Sequence, residues 1–482
     1  MEKQILTSTC LLLAALMAAS CGGQEKKSDP STDTAVGVVT EAETQAPTRI
    51  DILGEHDYGG AAFVILDDGG NININTPDET LEGDIVNDTI LKRNLQIAEM
   101  YNVEFDYQHI SSYADRANMV RNSVLSDDPA YDLLFSILPE SIAPIATEGV
   151  LANLCAIETL SLNENWCSPL IYENCRLDNK MYYTTGDISP ISYRAPACYY
   201  VNETLLDQYG ISKDEIYDHV ENGTWTLDVL KAYAGELDAD LNNDGKLYTD
   251  DDFFGVLNED NALTAACFMV ASGFNLSSID EDGHLTVDLN NEAVVTAIEK
   301  LKGVLSNVRR SGNPALHTAF MEDRAVFMMH YASSGYTRYR DMKSDYLTLP
   351  LPKYDEAQAS YRSLLNTWCN AFVCVPANAD TERAGIIMEA MAYLSHDMLR
   401  PAAFDMALKE KGSRNERDAR MLDIIFNSLY LDFNSIMEFG GSLTPIGNAV
   451  FKDTAYVSAA EKITDKTIAA MEAFEKAWIG EE

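Results

Sequence analysis

Apolar runs of strand character alternate with runs of helical periodicity through the first part of the chain, and this alternation constrains the fold more than any other feature. AAFVIL (61–66) predicts a buried strand, and the following DIVNDTILKRNLQIAEMY predicts a helix whose apolar face includes Ile90 and Leu95. NVEFDY and YDLLFSIL (131–138) predict a second and a third strand. This order predicts an α/β fold in which helices cover a largely parallel sheet.

A second region begins near GDISPISYRAPACYYVNETLLDQYGI (186–211), where an apolar and aromatic strand opens a new series of elements. Helix-rich segments follow, and IDEDGHLTVD between two of them predicts a hairpin that turns at Asp282 and Gly283. The chain has 482 residues. That length suffices for two to three domains of about 100–200 residues each.

The charge balance argues against one class of partner. Asp and Glu number 76 against 35 Lys and Arg, which gives a formal net charge of −41 at pH 7. Such a chain repels a phosphate backbone, so we expect no nucleic-acid partner. Hydrophobic residues make up 46% of the chain, which is ample material for buried cores.

The N-terminus has the pattern of an export signal. Residues 1–20 combine a weakly basic start with the apolar run ILTSTCLLLAALMAAS, which is too short to span a bilayer comfortably. The run ends in AASCGG, whose Cys21 resembles the acylated cysteine of bacterial lipoproteins, although Ala18 stands where leucine is commoner. An ordinary secretory signal with a chance cysteine is the alternative. Because 21–50 predicts a flexible tether, we expect a protein anchored by lipid to the extracellular face of the cell membrane.

The cysteines do not indicate a disulfide framework. Seven of them follow Cys21, and their number is odd and their positions are scattered. Cys369 and Cys374 would point to opposite faces of a strand, so we do not expect them to pair. A pair between Cys155 and Cys167 stays open.

The stretch DADLNNDGKLYTDDDFFG (238–255) has the spacing of a calcium-binding loop. In such a loop, oxygen ligands from alternate positions converge on one ion, and a glycine at position 6 permits the turn. Gly245 has this place, and a predicted helix, TLDVLKAYAGEL, runs into the loop. The candidate ligands are Asp240, Asn242, Asp244, the carbonyl of Lys246, Tyr248 and Asp251.

Only one such loop is present, whereas calcium sensors usually carry two. We therefore expect a bound Ca²⁺ ion with a structural role rather than a switch. A cluster of acidic turns without a metal is the alternative, because acids are common throughout this chain.

Motifs of enzymatic chemistry are absent from the sequence. The seven histidines never fall at H-x-x-x-H spacing, and the chain contains no G-x-S-x-G, no P-loop and no G-x-G-x-x-G pattern. No pair of acids stands out as the carboxylates of a glycosidase. We therefore expect a protein that binds a ligand without converting it.

Five residues are candidates for contact with a ligand. Aromatic rings stack on the apolar faces of sugars, while polar side chains bind the sugar hydroxyls. Trp368 lies just before a predicted strand, Tyr331 and Tyr336 lie in HYASSGY, and Asp187 and Ser189 lie in GDISP. Taken alone, each of these residue types is more often a core or plain surface residue.

The order of several motifs resembles the extracellular solute-binding proteins of family 1, the capture subunits of bacterial ABC importers. The resemblance runs from Ala61 to the C-terminus and includes GDIVNDTILKRNLQIAEMYNV, YDLLFS, YYVNETLLDQYGI and FMEDRAVFMM. LNNDGK, DDFFG and LPLPKYDEAQ are its strongest pieces.

The resemblance implies a two-lobe α/β fold of the periplasmic-binding-protein type II, in which hinge crossovers join the lobes. It places lobe 1 at 51–190 and lobe 2, with the calcium-type loop 240–251, at 191–318. It further implies a return to lobe 1 at 319–375 and a C-terminal helical part, mainly in lobe 2, at 376–482.

The family also sets the functional expectation. Its members capture a small solute, in many cases an oligosaccharide, between the lobes and deliver it to an ABC transporter permease. The resemblance therefore implies a carbohydrate receptor, which we expect to be monomeric and anchored in the membrane through lipid only. The residues that touch the solute vary within the family, so none is carried over. A surface glycan-binding lipoprotein without an importer and a secreted glycan hydrolase are the alternatives.

Overall fold

The computed structural model describes residues 47–68, 84–247, 251–305, 313–339, 341–410 and 416–480. The predicted signal peptide, Cys21 and nearly all of the predicted tether lie outside these residues. Across the described ranges, no helix combines the length and the apolar character that crossing a bilayer requires.

Twelve strands and eighteen α-helices lie in the described part of the chain. The strands are β1 (Ala61–Asp67), β2 (Val103–His109), β3 (Leu133–Ser136), β4 (Ala197–Asn202), β5 (Phe254–Leu257), β6 (Ser278–Ile279), β7 (Leu285–Thr286), β8 (Ala325–Tyr331), β9 (Tyr346–Leu349), β10 (Ser363–Leu364), β11 (Phe372–Cys374) and β12 (Leu429–Tyr430). The helices are α1 (Arg49–Leu53), α2 (Ile85–Tyr101), α3 (Tyr113–Leu125), α4 (Ala143–Ala146), α5 (Pro169–Asn174), α6 (Glu203–Tyr209), α7 (Lys213–Glu221), α8 (Leu227–Ala234), α9 (Ala262–Ala271), α10 (Glu292–Leu305), α11 (Asn313–Met321), α12 (Ser333–Thr337), α13 (Thr381–Glu410), α14 (Glu416–Phe426), α15 (Phe433–Met437), α16 (Leu443–Lys452), α17 (Tyr456–Glu461) and α18 (Thr464–Ile479).

Short polar side chains fix where several helices begin. The Asp84 carboxylate accepts hydrogen bonds from the first free backbone amides of α2, and Asn202 does the same for α6. The helices end where the backbone turns left-handed, at Asn102 after α2 and at Gly210 after α6. These caps join each helix directly to a strand, so the strand and helix alternation of the sequence becomes compact α/β units.

The first sheet has the strand order β11-β3-β1-β2 and defines lobe 1 together with its own apolar core. β1 pairs in parallel with both β2 and β3, and β11 is antiparallel to β3. All four residues of β3 are buried. Parallel strands of this kind are covered on both faces, as the α/β prediction requires.

The second sheet has the order β5-β8-β4-β9 and defines lobe 2 with a separate apolar core. β5 and β8 are parallel, while β4 lies antiparallel to both β8 and β9. Two minor pairs complete the sheet structure: β10 with β12, and the β6–β7 hairpin with Gly283 in a left-handed turn. The fold is therefore α/β with two lobes, as predicted.

The segment 319–375, predicted to return to lobe 1, instead lies mostly in lobe 2. β8 and β9 both pair with β4 in the second sheet, and only β11 at the end of the segment reaches the first sheet. The apolar sequence AVFMMHY of β8 would suit either sheet, so its local pattern could not select the partner strand.

The C-terminal part, 376–482, is divided between the lobes rather than lying mainly in lobe 2. α13 begins in the core of lobe 1 with Ile387 and ends in the core of lobe 2 with Leu399. α16 packs on α9 in lobe 2, whereas Trp478 of α18 is buried in the core of lobe 1. The long helix α13 thus ties the two cores together.

The seven cysteines from Cys155 to Cys374 are all free thiols in the described residues. Cys155 and Cys167, whose pairing the sequence leaves open, are each partly exposed and unbonded. The tertiary structure of the described residues therefore rests on its two cores and its hydrogen bonds.

Candidate functional site

Besides the helix α13, two neighbouring crossovers join the lobes. The first runs from Thr184 towards β4, and the second runs from β10 towards β11. Thr184 pairs with Val373 at one end, and the amide of Asn366 donates to the carbonyl of Ala195 at the other, over 3.0 Å. Between them, Thr185 Oγ1 donates to the carbonyl of Ala371 over 3.1 Å. Paired connections of this kind permit one lobe to rotate against the other as a rigid body.

Cys369 in the second crossover has a tyrosine from each lobe as a neighbour. Burial raises the pKa of Tyr113, the first residue of α3 in lobe 1, and nearby Cys369 and Glu140 raise this pKa further. Burial also raises the pKa of Tyr331, at the end of β8 in lobe 2, and nearby Cys267, Glu259 and Cys369 raise this pKa further. The start of α3 in lobe 1 and the end of β8 in lobe 2 are therefore both near this crossover. We call Tyr113, Glu140, Glu259, Tyr331 and Cys369, together with Trp368, the junction.

Trp368 is the exposed aromatic ring of the junction. It is 48% exposed, whereas Trp225 and Trp478 are buried in the two cores. Its backbone amide donates to Asn366 Oδ1 over 3.0 Å, which fixes the chain on which the ring is carried. A large apolar ring left in solvent at a fixed position between two lobes is suited to stacking against a ligand.

Carboxylates lie on both sides of the junction. Glu140 follows β3 in lobe 1, and Glu259 follows β5 in lobe 2. Glu259 accepts a hydrogen bond from the Asn261 side chain, and Glu140 makes no hydrogen bond or ion pair within the described residues. His109 at the end of β2 lies 2.5 Å from the carboxylate of Asp67 at the end of β1. These side chains can accept hydrogen bonds from the hydroxyl groups of a bound solute.

Asp187 and Ser189, two of the predicted ligand contacts, are buried in the first crossover. Asp187 is 5% exposed, and its two oxygens are taken by the Tyr193 hydroxyl at 2.6 Å and by His396 Nδ1 at 2.5 Å. Ser189 is fully buried, and its hydroxyl has no hydrogen bond within the described residues. In this conformation both residues support the crossover and do not face solvent.

Of the two tyrosines in HYASSGY, the structure describes the side chain of Tyr331 but not that of Tyr336. Tyr331 is 9% exposed, and its hydroxyl lies 3.9 Å from the thiol of Cys267, so it forms a wall of the junction. Tyr336 belongs to α12, directly after this wall, but its side chain lies outside what the structure describes. The structure thus brings Tyr331 and Trp368 to the junction and leaves the contact made by Tyr336 as a prediction.

The sequence prediction missed Tyr113, Glu140, Glu259 and Cys369. A usable signal was present for one of them, because Glu140 comes shortly after the predicted strand YDLLFSIL, whereas no strand was predicted before Glu259. In open α/β sheets, ligands bind outside the carboxyl ends of the strands. Selecting the polar residues that follow each predicted strand would have found Glu140. The thiol of Cys369 and the ring of Tyr113 carry no comparable signal.

The predicted calcium loop adopts the turns of such a loop over its described part. Asn242 Oδ1 accepts from the amide of Asp244 over 2.9 Å, and Asp240 Oδ2 accepts from the amide of Gly245 over 2.8 Å. The backbone is left-handed at Gly245, as predicted for position 6. Asp240 Oδ1 is buried without a hydrogen bond from the described residues, which leaves one oxygen for an ion.

The ligands predicted on the far side of the loop do not converge on one point in the described residues. Asp251 is exposed, Lys246 donates its amide to Asp244 Oδ1, and Tyr248 lies outside the described residues. Nowhere in the described ranges do three His, Cys, Asp or Glu side chains already converge as they would around a metal. The donor set of oxygens fits calcium, but Asp251 has to move inwards to close the site.

Comparison with known proteins identifies the fold. No family model matches the chain, and no curated protein matches it. Among solved structures, the maltose-binding periplasmic protein of Listeria monocytogenes, in complex with maltose, is 13% identical with a TM-score of 0.53 and covers 88% of this chain and 99% of its own. A cyclo/maltodextrin-binding protein complexed with maltotetraose is 15% identical with a TM-score of 0.56, covering 86% of this chain and 97% of its own.

An ABC substrate-binding protein of Listeria monocytogenes, in complex with cycloalternan, is 14% identical with a TM-score of 0.50 and covers 86% of this chain and 99% of its own. These three structural neighbours are bound to maltose, maltotetraose and cycloalternan, and the third is an ABC substrate-binding protein. At these identities the likeness shows the fold, and the resemblance expected from the sequence is confirmed at that level.

Proposed function

We propose that this protein captures a small solute, an oligosaccharide, between its two lobes and delivers it unchanged to an ABC importer. The observation that carries the proposal is the junction, where the exposed Trp368 precedes Cys369 on the second crossover and a tyrosine from each lobe is near Cys369. The structural neighbours support it, because they are sugar-binding proteins of the same fold.

Capture follows from the way in which the crossovers join the lobes. A solute that stacks on Trp368 and accepts or donates hydrogen bonds at both sheet edges interacts with both lobes only when they are close together. It therefore stabilises the closed conformation by the difference in its affinity for the two states. No covalent step is needed, so the solute leaves as it entered.

Replacing Trp368 with Ala should weaken solute binding by about 10- to 30-fold, which is about 1.4–2 kcal/mol. The solute would first be found by a thermal-shift screen of oligosaccharides that includes maltotetraose, since a bound ligand raises the unfolding temperature. Calorimetry then gives the dissociation constant for each variant. Tyr209→Ala, at a 45% exposed ring at the end of α6, is the matched control and should bind normally. If Trp368→Ala binds the solute with the affinity of the wild type, Trp368 does not contact the solute.

We further propose that the mature protein begins at Cys21 and is anchored through lipid on that residue. The apolar run before Cys21 and the polar segment after it support this placement. Cys21→Ala should move the protein from the membrane fraction to the medium of the cells that produce it. Mass spectrometry of the wild-type N-terminus should find a diacylated cysteine. An unmodified N-terminus at another residue would mean an ordinary secretory signal.

A structural Ca²⁺ ion in the loop 240–251 is the third element of the proposal. The buried oxygen of Asp240 without a hydrogen bond and the left-handed glycine support it. Asp240, Asn242, Asp244, the carbonyl of Lys246, Tyr248 and Asp251 would hold the ion, which would brace one end of lobe 2.

Removing calcium should lower the stability of lobe 2. An ion present at 100 times its dissociation constant contributes about 2.7 kcal/mol, so a chelator should lower the unfolding temperature of the wild type. Asp240→Asn keeps the side-chain acceptor for Gly245 but removes the charge, and it should melt at the same temperature with and without chelator. Asp282→Ala, in the β6–β7 turn, should retain the chelator effect. If the chelator leaves the unfolding temperature of the wild type unchanged and calorimetry detects no bound ion, the loop is a cluster of acidic turns without a metal.

A further inference from the structure

A separate cavity of about 460 Å³ lies beside the long helix α13, where this helix passes from one core to the other. Its size falls within the range of small-molecule sites. One wall is the segment around Ser168, next to α5, and the other is α14 with Phe426 of the lobe 2 core. His396 and Arg400, one helical turn apart on α13, form the floor.

This cavity is distinct from the junction. Its lining includes none of the junction residues. The first crossover stands between the two places: its Thr185 bonds to Ala371 of the second crossover, whereas its Asp187 bonds to His396 on the cavity floor. The residues that line the cavity therefore differ from those proposed to capture the solute.

Hydrogen-bond donors without partners dominate the cavity. Arg400 uses only Nη2 towards Asp423 and Asn427, at 2.8 and 2.6 Å, so its Nε and Nη1 are left without partners among the described residues. His396 forms a hydrogen bond to Asp187 through Nδ1, so Nε2 is left to donate to a ligand. The side-chain nitrogens of Asn165 and Asn427 have no hydrogen bond either within the described part of the chain. Only the Asp423 carboxylate adds a strong acceptor to the lining.

The charges around the floor favour an acceptor ligand. The Asp187 carboxylate raises the pKa of His396, so the imidazole carries a positive charge more readily than a free histidine. Arg400 is always charged, and it is only 12% exposed, so its field is less screened than that of a surface residue. Asp187 and Asp423 each accept a hydrogen bond from one of these two cations, so neither carboxylate is free, and Asp397 next to His396 is exposed.

We propose that this cavity binds a small oxyanion, with the free edge of Arg400 and Nε2 of His396 as its main donors. A sugar would need acceptors as well as donors, and the lining offers few. An oxyanion offers acceptors only, and the fixed edge of a guanidinium binds two of its oxygens at once. Inorganic sulfate or phosphate and the carboxylates of an organic acid share this chemistry.

Calorimetry on the full protein tests the proposal with sulfate, phosphate and citrate, each compared with chloride at matched ionic strength. We expect saturable binding with a dissociation constant of about 1 mM or tighter, which corresponds to about 4.1 kcal/mol or more. Whether the inorganic anions or citrate bind more tightly identifies the source of the oxyanion. Heats equal to those of chloride for all three would overturn the proposal.

Arg400→Gln should weaken binding by at least about 10-fold, because it removes both the charge and the fork of donors. Arg420→Gln is the matched control: it removes the same charge from an arginine that is ion-paired with Glu221 on the surface of α14, and it should bind normally. Equal binding by Arg400→Gln would overturn the proposal.

Arg400→Gln must fold for this comparison to be valid, and circular dichroism and the unfolding temperature establish that. If the variant does not fold, a wild-type crystal soaked in selenate tests whether an oxyanion binds in the cavity. An anomalous selenium peak between His396 and Arg400 supports the proposal, and the absence of a peak there contradicts it.

Discussion

Lowering the pH from about 7 to about 4 should destabilise lobe 2 strongly, because two histidines are buried there as neutral rings. His317 on α11 and His330 on β8 lie with ring centroids 4.5 Å apart. Burial lowers the pKa of His317 from 6.5 to about 3, and His330 and Arg338 lower it further. Burial and Arg338 lower the pKa of His330 to about 4.

The direction of the effect follows from where each state binds its protons. In the unfolded chain these histidines bind protons as the pH falls through about 6.5. In the folded chain they bind protons only as the pH falls through about 4 for His330 and about 3 for His317. Between these values the unfolded state binds more protons, so the free energy of unfolding falls as the pH falls. Above about 6.5 both states are neutral at these positions, and the histidines add no pH dependence.

The two histidines also support the wall of the junction. His330 Nδ1 and the Ser334 hydroxyl are hydrogen-bonded over 2.7 Å, and His317 Nδ1 lies 2.5 Å from the Tyr339 hydroxyl. Ser334 is in α12, directly after Tyr331. Protonation at acidic pH should therefore loosen the segment that carries Tyr331 before the rest of lobe 2 unfolds.

Urea unfolding at pH 7, 5.5 and 4.5 measures this effect. We expect the wild type to lose several kcal/mol over this range relative to the double variant His317→Gln and His330→Gln. His284→Gln, on the exposed β6–β7 hairpin, is the control and should follow the wild type. Parallel losses in the wild type and the double variant would mean that other groups cause the acid sensitivity.

Gly186→Ala should destabilise the first crossover by about 3 kcal/mol or more. A Cβ atom at this position would lie 2.5 Å from the carbonyl oxygen of Trp166 and 2.8 Å from Cα of Cys167. The backbone φ of +149° at Gly186 is also one that other residues rarely adopt. The close approach is needed because the amide of Asp187 donates to this same carbonyl over 2.9 Å.

A matched glycine serves as the control for this substitution. Gly303 lies within α10, and a Cβ there meets nothing nearer than the Lys231 ammonium at 3.9 Å. Gly303→Ala should therefore stabilise the protein by about 0.5–1 kcal/mol. Denaturation midpoints of both variants test the pair. A Gly186→Ala protein as stable as the wild type would show that the first crossover tolerates a shift.

Sequence patterns predicted what is local in this fold. The strand β1 and the helix α2 were predicted from apolar patterns, and the β6–β7 turn from Asp282 and Gly283. On the predicted apolar face of α2, Ile90 is buried, but Leu95 is 60% exposed. The two-lobe arrangement came from the resemblance, since alternation alone indicated only an α/β layer. Both expectations are confirmed, because the described strands form two sheets with separate cores.

Features that depend on contacts between residues far apart in the sequence could not be predicted. β8 joins lobe 2 because it pairs with β4, which lies far earlier in the chain. Asp187 was predicted to contact ligand, but His396 on α13 covers it, and no local pattern around GDISP reveals that contact. Trp368 was predicted as the edge of a cleft; it is 48% exposed on the second crossover, and its contact with a solute stays a prediction.

The central claim is that one solute occupies the junction and contacts both lobes. A crystal structure of the protein with an oligosaccharide found in the thermal-shift screen tests it most directly. We predict an intact sugar stacked on Trp368, with Tyr113 and Tyr331 on opposite sides and with the lobes closed around it. A sugar bound to a single lobe away from Trp368, or one cleaved in the crystal, would contradict the claim.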